Sequence, residues 1–174
     1  MADETLPPED SLFIINRTFN APRDLVWQAY AKLEHLEKWW GPKGFEWLHG
    51  SLDFKPGGKF HYGMKAPTGM EMWGRFIYRE IEAPKKLTFV VSFSDRDGGI
   101  AAPPFPGMEK YPREVLNILT FTEEDGKTKL HMRGGPINAT PENVEFFKGM
   151  KTSMNQGFAG TFAQLDDYLV RMKD

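Results

Sequence analysis

The chain has 174 residues, 40% of them hydrophobic and 26% charged, with a formal net charge of −2. This length predicts one well-filled core and a single domain. The near-neutral charge and the lack of a basic run argue against nucleic acid or an anionic membrane surface as partners. Cysteine is absent, which excludes disulfides, thiolate metal sites and thiol nucleophiles and is compatible with a reducing compartment.

The sequence is predicted to form a tail followed by one domain. Residues 1–10 are predicted to be a flexible N-terminal tail, and residues 11–174 are predicted to be the domain. The first residues carry no positive cluster ahead of an apolar run, and about 18 consecutive apolar residues occur nowhere in the chain. We therefore expect a soluble cytoplasmic protein without membrane insertion.

The first predicted elements are a strand and two helices. Residues 11–19 are rich in β-branched and aromatic side chains, which favours a strand. A helix is predicted over residues 22–32, because proline suits a first helical turn and apolar side chains recur there at 3/4 spacing. A second short helix extends the same apolar face to Trp39 and Trp40 and ends at Pro42.

An alternating pattern of apolar and polar side chains replaces the helical pattern from residue 45 to residue 133. Such alternation is typical of strands with one packed side. The predicted strands cover residues 59–65, 70–81, 87–93, 113–122 and 127–133. Asp125-Gly126 lies between the last two strands and indicates a hairpin turn, so the pattern predicts an antiparallel meander.

A long amphipathic helix is predicted at the C-terminus. Thr140 has the features of an N-cap, and an apolar stripe follows over residues 146–172. Gly149, Gly157 and Gly160 interrupt this pattern, because each glycine inside a helix costs about 0.5 to 1 kcal/mol relative to alanine. A break near Gly149 therefore remains open. For Gly157 we favour tight packing of the helix on the sheet over close approach of a ligand.

The apolar face of this helix and that of the sheet can be buried only against each other. This requirement predicts an α+β architecture in which a curved antiparallel sheet wraps around the C-terminal helix. Such an arrangement leaves space for a cavity between the two layers.

Five short motifs occur in an order that is similar to one known family. They are Ala21-Pro22-Arg23-Asp24-Leu25-Val26-Trp27, Trp39-Trp40-Gly41-Pro42, Asp53-Phe54-Lys55-Pro56-Gly57-Gly58, Gly74 with Glu80-Ile81-Glu82-Ala83-Pro84-Lys85-Lys86-Leu87, and Gly157-Phe158. Together they resemble one branch of the START/Bet v 1 (SRPBCC) superfamily. This is the AHSA1-like branch, named after the activator of Hsp90 ATPase. The resemblance covers about residues 12 to 172.

The resemblance implies a helix-grip fold with two short helices after the first strand. It also implies a pocket between the sheet and the C-terminal helix, which in relatives receives hydrophobic or aromatic small molecules. It does not imply one activity, because this superfamily contains lipid carriers, polyketide cyclases, antibiotic-resistance proteins and co-chaperone domains. Relatives often have tryptophan near Gly157-Phe158, so the floor of this pocket is expected to differ.

The candidate ligand-binding residues are mainly aromatic side chains and methionines. Each indole of the Trp39-Trp40 pair can remove about 200 Å² from water, yet it carries an N–H that needs a partner, which suits the wall of an apolar cavity. Tyr62 and Asn117 alternate with apolar neighbours and would add polar groups, although bonds to protein or water are the simpler explanation for each. The predicted ligand-binding residues are Trp39, Trp40, Tyr62, Met64, Phe76, Phe89, Asn117, Met150, Met154 and Phe158.

The segment of residues 94–112 is longer and richer in proline and glycine than a hairpin requires. It carries Phe105, Met108 and Tyr111, which favour a covered position. Two interpretations remain open: a lid over the pocket, or a cover that blocks pairing at a sheet edge.

The sequence contains no recognisable catalytic or metal-binding motif. Its histidines, at positions 35, 49, 61 and 131, show no HxH or HExxH spacing, and the nucleophile-elbow, phosphate-loop and dinucleotide motifs are missing. We therefore predict no catalytic residue, no metal and no cofactor, and leave the oligomeric state open, a homodimer included.

Three functions follow from these features. The preferred one is a protein that binds a hydrophobic or aromatic small molecule. The second is a cyclase- or hydrolase-like enzyme that uses Tyr62 and Asn117. A module that interacts with an Hsp90-type chaperone ranks last, because only about ten polar residues precede the first strand, where the eukaryotic activator has a separate N-terminal domain.

Overall fold

A computed structural model describes residues 6–173 of the protein. A short 3-10 helix, Glu9–Ser11, precedes strand β1 (Phe13–Phe19) and helices α1 (Arg23–Ala31) and α2 (Leu33–Trp39). The elements that follow are β2 (Glu46–Leu52), β3 (Lys59–Lys65), β4 (Glu71–Glu82), β5 (Lys86–Phe93), β6 (Glu114–Glu124), β7 (Lys127–Ile137), α3 (Pro141–Gly149) and α4 (Lys151–Lys173).

The strands of this part of the chain form one curved antiparallel sheet of seven strands. Its order is β1-β7-β6-β5-β4-β3-β2, so chain neighbours pair from β2 to β7, and β1 closes the other side by pairing with β7. The inner face packs against α4, where Phe162 contacts Phe19 of β1, and Leu165 and Leu169 are buried in the same core. The predicted α+β helix-grip architecture is confirmed.

The predicted tail of residues 1–10 falls partly outside the described residues. Of the part that is described, Glu9–Ser11 form a 3-10 turn in which the Ser11 hydroxyl donates to Pro8 O at 2.8 Å. The Lys151 ammonium group on α4 donates to Asp10 O at 2.7 Å. These residues are therefore attached to the domain, and the first strand begins at Phe13 rather than at residue 11.

The C-terminal apolar stripe is divided between two helices. The hydroxyl of Thr140 accepts from Asn143 N at 3.1 Å, and the Asn143 side chain accepts from Thr140 N at 3.0 Å. This capping box fixes the start of α3 at the predicted N-cap. The helix ends at Gly149, and Met150 separates α3 from α4. The possible helix break near Gly149 is therefore present.

The predicted packing of Gly157 against the sheet is wrong. A Cβ atom added to Gly149, Gly157 or Gly160 would find no other atom within 4 Å, and all three residues are exposed. The physical reason lies in the phase of α4, whose inward side carries Met154 and Phe158. Gly157 and Gly160 consequently face solvent.

Replacing Gly157 or Gly160 with alanine is expected to stabilise the protein. Each substitution should raise the free energy of unfolding by about 0.5 to 1 kcal/mol, because alanine restricts the unfolded chain and meets no atom in the folded one. Gly126→Ala is the matched control, since its surroundings are equally open but its φ is 75°, and it should destabilise. Denaturant unfolding measures all three, and a loss of stability in both helix variants would contradict this expectation.

Candidate functional site

A cavity of about 110 Å³ lies between the inner face of the sheet and the helices. Its lining residues are Phe13, Tyr30, Trp40, Phe89, Val91, Tyr111, Val115, Asn117, Leu119, Met132, Gly134, Phe147, Met154, Phe158 and Phe162. An engineered cavity of about 150 Å³ holds one benzene molecule, whereas pockets for drug-sized ligands start at about 300 Å³. The cavity therefore has the dimensions of a single ring.

Aromatic rings form more than half of the cavity lining, and none of the residues just named carries a formal charge. Phe158 on α4 stacks on Phe13 of β1 and on Phe162, with ring centroids 5.6 Å apart in both pairs. These contacts join the first strand to the last helix along one wall. A wall of this kind favours an uncharged, apolar occupant, because burying an unpaired charge there would be costly.

Three polar side chains interrupt the apolar lining. The amide nitrogen of Asn117 donates to Val115 O at 3.3 Å, and the hydroxyls of Tyr30 and Tyr111 form no hydrogen bond with any other residue between positions 6 and 173. Burial raises the pKa of Tyr111 to about 12, and burial also raises the pKa of Tyr30. Both phenols therefore stay protonated at neutral pH, and each can donate or accept a hydrogen bond.

The two adjacent tryptophans occupy different environments. Trp39 is 1% exposed, and its indole N–H donates to Ala29 O at 3.0 Å near the end of α1. Trp40 lines the cavity, and its indole N–H is buried beside the Tyr62 hydroxyl. The pair thus divides between core and cavity.

Gly41 connects the tryptophan pair to α4. Its carbonyl oxygen accepts from the Gln164 amide at 2.7 Å and from the Thr161 hydroxyl at 3.3 Å. Its φ is 105°, and a Cβ atom there would collide with the Met64 side chain. The motif at residues 39–42 therefore has a structural role as well as a place at the cavity wall.

Half of the predicted ligand-binding residues line the cavity, namely Trp40, Phe89, Asn117, Met154 and Phe158. Trp39, Tyr62, Met64, Phe76 and Met150 do not. These five lie outside the lining of this cavity, and each has an identifiable reason.

Neighbouring side chains separate the remaining candidates from the cavity. The ring of Tyr62 covers Gly74, its partner across the β3–β4 pair. Phe76 lies behind Phe89, with centroids 4.2 Å apart and an interplanar angle of 12°. Met64 fills the space beside Gly41, and Met150 occupies the break between the two C-terminal helices. Because Tyr62 lies outside the lining, the cavity contains only Asn117 of the two residues on which the enzymatic alternative depended.

Several lining residues were not predicted. Val115 and Leu119 share strand parity with Asn117, so alternation alone identifies them. Phe147 is buried at the cavity while Phe146 is half-buried, because the helix break shifts the phase of the apolar stripe. Tyr30 comes from α1, whose 3/4 apolar spacing predicted a helix but no place in the cavity wall.

The segment of residues 94–112 contacts both faces of the sheet. On the outer face, Asp95 O lies 3.2 Å from Nε2 of the buried His61, and Arg75 donates to Gly98 O at 2.9 Å. Burial lowers the pKa of His61. On the inner face, Tyr111 lines the cavity. The segment connects β5 and β6 in the centre of the sheet, whose edge strands are β1 and β2, and Ala101 N donates to Phe93 O at the end of β5.

Within residues 6–173, no three His, Asp or Glu side chains are grouped so that they could hold a metal ion. No helix in that part of the chain is both long and apolar enough to cross a membrane.

The sheet, the C-terminal helix and the apolar cavity between them together define a helix-grip protein. The family model described as "Activator of Hsp90 ATPase homolog 1-like protein" matches residues 20–170, and the chain belongs to this family. The resemblance inferred from the five motifs is thereby confirmed. A search of curated proteins gave no match.

Solved structures of bacterial proteins share this fold. A crystal structure of a Mycobacterium smegmatis protein is 27% identical and superposes with a TM-score of 0.75, covering 95% of this chain and 94% of that chain. A solution structure from Arthrobacter aurescens is 24% identical, with a TM-score of 0.75 and coverages of 96% and 91%. A crystal structure from Nitrosomonas europaea is 20% identical, with a TM-score of 0.74 and coverages of 96% and 99%; these last two support the fold alone.

Proposed function

We propose that this protein binds a small, uncharged, hydrophobic or aromatic molecule in the cavity between the sheet and the C-terminal helices. The observation that carries the proposal is a cavity wall made largely of aromatic rings, without a charged side chain. Apolar enclosure supplies the binding energy, and the few polar groups in the wall orient the occupant. We place the protein in the cytoplasm, with which a chain without cysteine is compatible.

The size of the cavity limits the ligand. About 110 Å³ admits one ring with small substituents. A larger molecule would require movement of Met154, Phe158 or Tyr111, which are half-buried side chains on α4 and on the segment of residues 94–112. Methionine is the most adaptable of these side chains, because it is unbranched and flexible.

Filling the cavity from the sheet tests the proposal. In Val115→Phe, a phenyl ring replaces the smaller valine side chain and enters the cavity from the inner face of β6. Binding of single-ring probes, measured by isothermal titration calorimetry, should weaken at least about tenfold. Stability should change little, since the added ring occupies space that is empty in the folded protein.

Val170→Phe is the matched control for this test. Val170 is 63% exposed on α4, so the same substitution there should leave binding unchanged. If Val115→Phe binds the probes as tightly as the wild type does, the ligand does not occupy this cavity and the proposal fails.

A further inference from the structure

We infer that the cavity selects single-ring aromatic ligands that carry a neutral hydrogen-bond donor, such as phenols, and that the Asn117 amide recognises the donor. This inference rests on the proposed function and narrows its ligand class. It is carried by a buried polar subsite on the central strands of the sheet, formed by Asn117 and Gly134.

Asn117 is an amide in an otherwise apolar part of the sheet. It is 6% exposed on β6, between Phe89 of β5 and Gly134 of β7 in the strand register. Its nitrogen donates to Val115 O at 3.3 Å, whereas its carbonyl oxygen has no hydrogen-bond partner within the described chain. An acceptor that lines the cavity without a protein partner carries a desolvation cost. A ligand that donates to the oxygen would recover this cost.

Gly134 provides the space in which the amide lies. A Cβ atom at Gly134 would stand 2.6 Å from Asn117 Oδ1, so any larger residue would displace the amide. The backbone does not require glycine at this position, since Gly134 is not among the glycines with positive φ. The missing side chain therefore serves the Asn117 amide, and both residues line the cavity.

The surroundings of this subsite define the chemistry of its ligand. The lining contains no cationic side chain, so a phenolate or a carboxylate would be buried without a counter-charge. A neutral hydroxyl can donate to the Asn117 oxygen while its ring contacts the aromatic wall. The protonated hydroxyls of Tyr30 and Tyr111 offer a further partner in the same cavity.

Phenol and toluene form a matched pair of probes, because they are similar in size and differ in a hydroxyl and a methyl group. Desolvation favours toluene in a purely apolar cavity, so tighter binding of phenol reports the hydrogen bond. We expect wild-type protein to bind phenol about tenfold more tightly than toluene in calorimetric titrations. Asn117→Leu should abolish or reverse this preference while retaining toluene binding.

Gly134→Ala tests the same subsite without removing the amide. The added methyl group displaces Asn117, so the preference for phenol should fall although every hydrogen-bonding group is kept. Circular dichroism shows whether each variant is folded, and one folded variant is sufficient to decide the role of Asn117.

The outcomes separate the inferred Asn117 subsite from the proposed binding function. If wild-type protein binds toluene at least as tightly as phenol, the inferred subsite is wrong while the proposed function stands. If both folded variants keep the wild-type preference, Asn117 does not recognise the donor. If neither probe binds to the wild type, the proposed function itself fails for single-ring ligands.

Discussion

Trp39→Ala is expected to lower the free energy of unfolding by about 3 to 5 kcal/mol, the cost of removing a large aromatic side chain from a packed core. Trp39 is 1% exposed and lies 4.8 Å from Tyr30, measured between ring centroids. Trp40→Ala should cost only about 1 to 2 kcal/mol, because one side of the Trp40 ring already faces a cavity and lacks neighbours there. Chemical denaturation of the two variants measures this difference.

The Trp39 indole also has a polar role that a control variant can isolate. The last carbonyl groups of a helix lack partners within the helix, and Trp39 donates to one of them, Ala29 O. Trp39→Phe keeps most of the buried area and removes this donor. It should therefore cost about 1 to 3 kcal/mol, the penalty for leaving a buried acceptor unpaired.

Ligand titration distinguishes the two tryptophans a second time. Trp40→Ala removes part of the cavity wall and should change the affinity for single-ring probes, whereas Trp39→Phe should leave it unchanged. Equal loss of stability in Trp39→Ala and Trp40→Ala, with no change in affinity in either, would contradict the division between core and cavity.

Most of the fold follows from local patterns in the sequence. Alternation located β3 to β7 but not β2, and the Thr140 cap located the start of α3. These features depend on neighbours within one element, so the sequence contains the relevant information. The burial of His61 on the outer face does not follow from local patterns. It depends on the turn at Asp95, which comes from a distant part of the chain.

The cavity was harder to predict than the fold because its wall depends on pairs of residues that are far apart in sequence. Alternation correctly placed Tyr62 on the inner face, yet a cross-strand glycine, Gly74, decides that its ring lies flat on the sheet. Phe76 has the same parity and is covered by Phe89. Parity therefore identifies the inner face, but neighbouring strands decide which side chains reach the cavity.

The turn before β3 contains the glycine whose replacement should be most damaging. Gly58 is buried, and its N–H donates to Lys55 O at 2.8 Å. A Cβ atom on Gly58 would lie 2.9 Å from Lys55 O and still closer to Asp53 O. Both obstacles are backbone atoms, which no side-chain rotation can move. Gly58→Ala is therefore expected to cost about 3 kcal/mol or more.

Gly57 is the control for this prediction, because its backbone conformation requires glycine, whereas at Gly58 neighbouring atoms leave no space for a side chain. It is exposed, no atom would lie within 4 Å of a Cβ there, and its φ is 82°. Gly57→Ala should cost only the strain of a left-handed residue, about 1 to 2 kcal/mol. Both glycines also connect the turn to β4 through Tyr78, by bonds of 2.7 and 3.0 Å. Because this connection is common to both, a larger loss in Gly58→Ala isolates the backbone collision, and equal losses would show that the turn relaxes around the added methyl group.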